Sequence, residues 1–232
     1  MSGRKLWEIA LGIITSVGGF IDVGAIATAS QSGSQFRFQL IWPVVLGTLC
    51  VICLVEMAGR LAACARHPLP MAVRERFGVN FVVWPLVFGL IVDLLVLSSE
   101  IGGVAIACQL VSGIKFYFWA IPVGLLIWAA IWYDTFDRIE YGVSFLGLIT
   151  LVFVVAMFLL HPPIKDVAHG IIPTLPKSER THYWFLAVGT IGSIIAPYLL
   201  NFYSSGAVEE KWDEADLVVN RITSTIGMSF AM

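Results

Sequence analysis

The stretch GFIDVGAIATAS (19–30) holds a single carboxylate, Asp22, inside a run of apolar and small residues. A charge at the centre of a bilayer costs roughly 2.5–3.5 kcal/mol on insertion scales, so an acid in such a run marks an ion or proton site or a satisfied polar contact. A second acid, Glu100, sits in SSEIGGVAIA, again among glycines and apolar residues, and must face protein or water. Asp93 lies seven residues earlier, two helical turns away on nearly the same face. It is a candidate for the same path, or a buried partner for a polar group. Isolated carboxylates of this kind bind cations or carry protons. Enzyme chemistry lacks its parts: there is no H-E-x-x-H, no G-x-S-x-G and no pair of aspartates set opposite another pair.

The elements that carry these acids are membrane spans. Hydrophobic residues make up 58% of the 232-residue chain and charged residues 13%, about half the charged fraction of a soluble domain. Mean hydropathy is +0.87. Six spans are predicted, near 6–30, 40–65, 82–111, 118–132, 141–160 and 183–205, with a seventh beginning near Ile222 and cut off at Met232. MSGRKLWEIALG begins like a signal peptide but has no cleavage site after a short apolar core, so it reads as an uncleaved first span.

Charge sets the orientation. With the N-terminus in the cytoplasm, Arg4, Lys5, Arg60, Arg66, Arg74, Arg76, Arg138, Lys211 and Arg221 lie inside, against Arg37, Lys115, Lys165, Lys177 and Arg180 outside. That excess fits the positive-inside rule. Trp42, Trp84, Trp119, Trp132 and Trp184 fall near span ends, where interfacial tryptophans sit. Cys50 and Cys53 form C-x-x-C inside an apolar helix, a packing context rather than a redox or zinc one. Glu56 and Arg60, four apart, read as a structural ion pair. His161, His169 and His182 in the Pro-rich connector 161–182, and EEKWDEAD (209–216), read as solvated loops. Nothing basic enough for nucleic acid is present, and the oligomeric state is left open.

Two spans are interrupted. The first carries GGFIDVG and the sixth GTIGSIIAPYLLN. Glycine permits non-helical backbone, and Pro197 removes a donor from the helical ladder. Unwound backbone at membrane depth survives only where protein buries it or where it lines a wet cavity. Breaks in the first and sixth spans are the pattern of a transporter with two inverted five-helix repeats, in which half-helix ends and freed carbonyls hold an ion near the midplane.

At these residues the chain resembles the NRAMP family of divalent-metal transporters. GFIDVGAIATAS is similar to the family's first-helix Asp-Pro-Gly-Asn motif, and AVGTIGSIIAPYLLNFYSS to its sixth-helix Ala-Thr-Val-Met-Pro-His segment. SSEIGGVAIA and DRIEYGVSFLGLI give weaker matches. The resemblance covers about 6–232. It implies an all-α membrane protein of the LeuT-type inverted-repeat fold, with a first repeat in 1–160, an extracellular connector in 161–182 and the start of a second repeat in 183–232. The family's metal ligands would correspond to Asp22, Gly24, Ala25, Ser193 and Ala196. Ser193 falls where the family offers a backbone carbonyl. The motif Pro is Val23 here, the metal-binding Asn is Ala25, the metal-binding Met is Ala196 and the motif His is Tyr198. In the third span the family's Asp–Glu pair is Leu97 and Glu100.

These departures have a chemical direction. Loss of a thioether removes preference for soft transition metals. Loss of two side-chain ligands leaves room for waters, which Mg²⁺ retains. The pattern resembles the NRAMP-related magnesium transporters, with Mn²⁺ also admitted. Glu100, Tyr198 and Asn201 are the candidate ion or proton path, Asn201 alternatively satisfying backbone freed by the break. Leu97 and Tyr198 do not carry a proton readily, so transport without proton coupling is expected. The expected partners are the metal, as cargo rather than cofactor, and the lipid bilayer of the cell (inner) membrane. The competing expectations are a degenerate, non-transporting module and a carrier of another cation, such as a trivalent metal.

Overall fold

The computed structural model describes residues 23–133, 151–176 and 179–231. The inner part of the first span with Asp22, and residues 134–150 of the fifth, lie outside the described residues. Among those described there are helices and no strand.

α1 (Val23–Phe36) is followed, after a turn with Arg37 in the left-handed region (φ 51°), by α2 (Ile41–Ala65). α2 ends at Arg66, also left-handed, whose N–H closes on Ala62 O at 2.8 Å. Prolines at 68 and 70 then start α3 (Leu69–Phe77), at positions where a helix needs no donor. α4 (Val79–Ser112) has 34 residues, about 51 Å at 1.5 Å each, well beyond a roughly 30 Å hydrocarbon core. α5 (Phe116–Tyr133), α6 (Leu151–Leu160) and the short α7 (Ile164–Gly170) follow.

The sixth span divides as its sequence predicts. α8 (Arg180–Ile194) stops, Ile195 and Ala196 leave helical geometry, and α9 (Pro197–Glu209) begins with the proline. Ala196 is extended (φ −84°, ψ 136°) because a residue preceding proline is pushed out of the helical region. The chain continues through a 3₁₀ turn (Glu214–Asp216) into α10 (Leu217–Ile222), a π turn (Thr223–Gly227) and α11 (Met228–Ala231).

Four features differ from expectation. The seventh helical segment starts at Leu217 rather than Ile222, because the Asp213 side chain accepts from Ala215 N–H (2.8 Å) and the Asp216 side chain from Asp213 N–H (3.2 Å), turning the acidic loop into a helix start. The loop between the second and third spans contains α3, and the Pro-rich connector contains α7, with α8 already begun at Arg180.

α2 is the packing centre, in contact with α3, α7, α8, α9, α10 and α11. Val51 and Val55 of α2 meet Ile194, Ala196, Leu199 and Met228, so the break in the sixth span is anchored in a buried apolar cluster. At one end of α2 Phe36, Leu40, Tyr183, Leu186 and Ala187 join α1 to α8, and Trp42 Nε1–H donates to Tyr183 Oη at 2.8 Å. Towards its other end the fully buried Asn220 donates to the carbonyl of Glu56 (3.0 Å) and accepts from Tyr203 Oη (3.0 Å). A Cβ on Gly59 would collide with this Asn220 amide. Among the described residues four segments are long and apolar enough to cross a membrane: Ile41–Ala65, Val79–Ser112, Phe116–Tyr133 and Arg180–Glu209. Arg60 and Glu56 form the expected ion pair, and the four cysteines are free thiols.

Candidate functional site

α1, α4 and α8 enclose a cavity of about 130 Å³ beside the break. Gly24 and Thr28 line it from α1, Val92, Val96, Ser99 and Glu100 from α4, and Gly192, Ser193 and Ala196 from the end of α8 and the break. The volume is that of about four waters at roughly 30 Å³ each.

Each wall has a local cause. On α4 the positions 89, 93, 96, 100 and 103 repeat at helical spacing and form one stripe. Gly89 faces Pro197, Val96 and Glu100 open on the cavity, and Gly103 leaves a notch filled by the Val23 side chain. Within the same stripe Glu100 Oε1 accepts from the N–H of Val23, the first described residue of α1, at 2.9 Å. Thr28 Oγ1–H donates to Gly24 O (2.8 Å) and Ser193 Oγ–H to Thr190 O (2.9 Å), so both hydroxyl oxygens keep lone pairs for another donor or a cation. The break leaves the last α8 carbonyls without helical partners.

The lining therefore offers oxygen from hydroxyls, a carboxylate and backbone carbonyls, and neither sulfur nor imidazole. No cluster of three His, Cys, Asp or Glu side chains occurs among the described residues. A cation here would meet hard ligands and retain water.

Four of the sequence-predicted residues, Gly24, Ser193, Ala196 and Glu100, meet at this cavity. Ala25, Tyr198 and Asn201 lie outside its lining. Tyr198 packs instead beside the buried cluster of α2 and α9, and Asn201 offers its backbone carbonyl to Ser204 Oγ–H at 3.1 Å. Asp22 precedes the first described residue. Asp93 is on the same stripe but outside the lining, and its Oδ1 is buried with no hydrogen-bond partner. Of the connector histidines, His161 pairs with the carbonyl of Leu159 and His182 with Gln35 on α1. Sequence reading missed Val23, Thr28, Val92, Val96, Ser99, Gly103 and Gly192. The α4 members carry a signal, the helical spacing of small and polar residues about Glu100. Thr28 is one turn beyond Gly24.

Apolar helices of membrane-spanning length, one of them broken at a proline beside a cavity, define a helical membrane fold. Residues 12–232 match the family described as natural resistance-associated macrophage protein-like (Nramp). The chain belongs to the Nramp family. It is 33% identical over 210 residues to the divalent metal cation transporter MntH of Xanthomonas campestris pv. campestris, covering 87% of this chain and 46% of that protein. It is 26% identical over 243 residues to MntH of Brucella suis, covering 99% and 52%. The chain thus spans about half the length of the curated relatives it matches. Among solved structures, the Eremococcus coleocola manganese transporter, in complex with an aromatic bis-isothiourea substituted compound, superposes with a TM-score of 0.75 at 22% identity, covering all of this chain and 51% of that one. That likeness establishes the LeuT-type fold.

Proposed function

We propose that the protein transports divalent metal cations across a membrane and is not an enzyme. The observation that carries this is the break at Ile195–Ala196, opening on an oxygen-lined cavity shared with the start of α1. Family membership and relatives named as divalent metal cation transporters support it. Asp22, next in sequence to Val23, supplies the ion's carboxylate. Gly24, Ala25, Ser193 and Ala196 define the rest of the site.

Mg²⁺ is the first cargo in this reading, and Mn²⁺ the second. Space for several waters and the lack of sulfur favour an ion that sheds water reluctantly. Transport runs without proton coupling, since Leu97 has no titratable group and the Tyr198 phenol, with an ordinary pKa of about 10, holds its proton at neutral pH. The chain divides into a first repeat (1–160), an outer connector (161–182) and the start of a second repeat (183–232), with the N-terminus cytoplasmic in the cell (inner) membrane and apolar helix faces against lipid.

The test uses the product of the full open reading frame in liposomes, loaded with Mg²⁺- and pH-sensitive dyes. Wild type is expected to admit Mg²⁺ with no internal acidification, and Asp22→Ala to abolish uptake while the protein stays folded. Uptake unaffected by Asp22→Ala, or uptake of neither Mg²⁺ nor Mn²⁺ by folded protein, would overturn the assignment in favour of a binding module.

A further inference from the structure

We infer that α2 splints the broken sixth span and that Asn220 is the positioning residue for its second half. This deepens the proposed function and rests on the cavity at the break holding the ion. At Ile195 and Ala196 the helical ladder stops, so α8 cannot fix the direction of α9 through its own backbone. α2 runs unbroken beside both halves. Going along it, Trp42 meets Tyr183, Gly47 lies under Ile194 and Gly59 lies under Tyr203, so α2 is parallel to the sixth span and reaches across its break. Between those points Val51 and Val55 pack on Ala196 and Leu199. Such apolar contact is non-directional and permits sliding. Register has to come from polar contacts.

Two clasps supply it, one for each half. The first is direct: Trp42 Nε1–H of α2 donates to Tyr183 Oη of α8 at 2.8 Å. The second uses a third helix. Asn220 of α10 sets its amide between α2 and α9, the nitrogen donating to Glu56 O (3.0 Å) and the oxygen accepting from Tyr203 Oη (3.0 Å). A carboxamide suits this place because it carries donors and an acceptor on one planar group. Only glycine at 59 lets it approach, since a Cβ there would collide with the amide and with the Tyr203 ring. The ring is braced in turn by Trp212, edge-on at 5.9 Å between centroids. Asn220 is fully buried, so displacing it strands its amide and the Tyr203 hydroxyl away from water. Ala196 lines the cavity one residue before α9 begins, and a shift of α9 moves that wall. Asn220, itself outside the lining, acts on the cavity through Tyr203 and α9.

Hydrogen–deuterium exchange on the metal-free product of the full open reading frame reads the two halves separately. Ile195 N–H closes the end of α8 on Ile191 O (3.1 Å), and Leu199 N–H closes the start of α9 on Ala196 O (3.2 Å). Tyr203→Phe keeps the ring and removes one hydroxyl. It is expected to speed exchange at Leu199 by about threefold to tenfold, the scale of one neutral hydrogen bond, and to spare Ile195 and the amides of α5. Trp42→Phe opens the other clasp and should give the reverse pattern, faster at Ile195 than at Leu199. Asn220→Ala should affect Leu199 at least as much as Tyr203→Phe, and the double variant no more than Asn220→Ala alone, because both act through one joint. In liposomes Tyr203→Phe should raise the half-saturating Mg²⁺ concentration about threefold with a smaller fall in maximal rate. Loss of folded copies alone would lower the maximal rate and leave half-saturation where it was. Unchanged exchange at Leu199 in Tyr203→Phe, or a rise spread evenly over α5, α8 and α9, would overturn the splint and leave Asn220 as packing. Faster exchange at Leu199 with unchanged half-saturation would overturn Asn220 as a positioning residue. Uptake insensitive to Asp22→Ala defeats the transport reading alone, because the exchange pattern needs no uptake.

Discussion

Ala196 brings a methyl group to the cavity wall at 7% exposure, where a longer side chain would reach the ion space. Ala196→Met would place a thioether among hard oxygens, and softer ions gain from sulfur. The expected outcome is a shift of about tenfold in the Cd²⁺-over-Mg²⁺ uptake ratio, which is about 1.4 kcal/mol, measured by competition in liposomes. Where α2 meets α9 and α10 the residue to change is Gly59. Its missing Cβ makes room for the Asn220 amide, and Tyr203 Cε1 would stand 2.7 Å from any Cβ built there. Gly59→Ala should destabilise by about 1–3 kcal/mol through overpacking, read as a lower unfolding midpoint in detergent. Asn220→Ala should cost a similar amount, about 1–3 kcal/mol, by leaving the Tyr203 hydroxyl without its acceptor and removing the second bond to the Glu56 carbonyl.

At the level of elements, the sixth-span break rests on Pro197 acting on Ala196. Pro197→Ala restores a donor and frees the preceding residue to turn helical, which would join α8 to α9 and withdraw the freed carbonyls. The expected result is a folded protein with uptake reduced at least tenfold, about 1.4 kcal/mol or more. This break was legible in the sequence because proline restricts its neighbour whatever surrounds it. That Gly24, Ser193 and Ala196 line one cavity with Glu100 could be anticipated only through the family resemblance at the two interrupted spans and at SSEIGGVAIA, because spacing alone does not bring separate helices together. α3 and α7 were not, since each starts with prolines in a segment that composition marks as loop, and short helices take their stability from tertiary contact. The start at Leu217 was hidden because reciprocal bonds between Asp213 and Asp216 look, in sequence, like an acidic solvated run. The Val23–Glu100 hydrogen bond joins residues 77 positions apart and has no local signature.

Across the whole molecule, large apolar side chains cover the outside of α4, α5 and α6, with Leu95, Trp132 and Phe158 about two-thirds exposed. A divalent cation gains about 4.6 kcal/mol in crossing 100 mV, inside negative, at roughly 2.3 kcal/mol per charge. That is over a thousandfold in accumulation at equilibrium, at about 1.4 kcal/mol per tenfold. Setting liposomes to −100 mV with a potassium gradient and valinomycin should drive Mg²⁺ accumulation, and adding potassium outside should abolish it, with the pH dye silent throughout.

The distance along the chain between Val23 and Glu100 also sets a timetable for assembly. At roughly 5–20 residues per second, a ribosome needs about 4–15 s to add the 77 residues separating the α1 amide from its acceptor. For that interval Val23 N–H lacks the acceptor it has in the folded chain, so this contact closes only after the third span has been made.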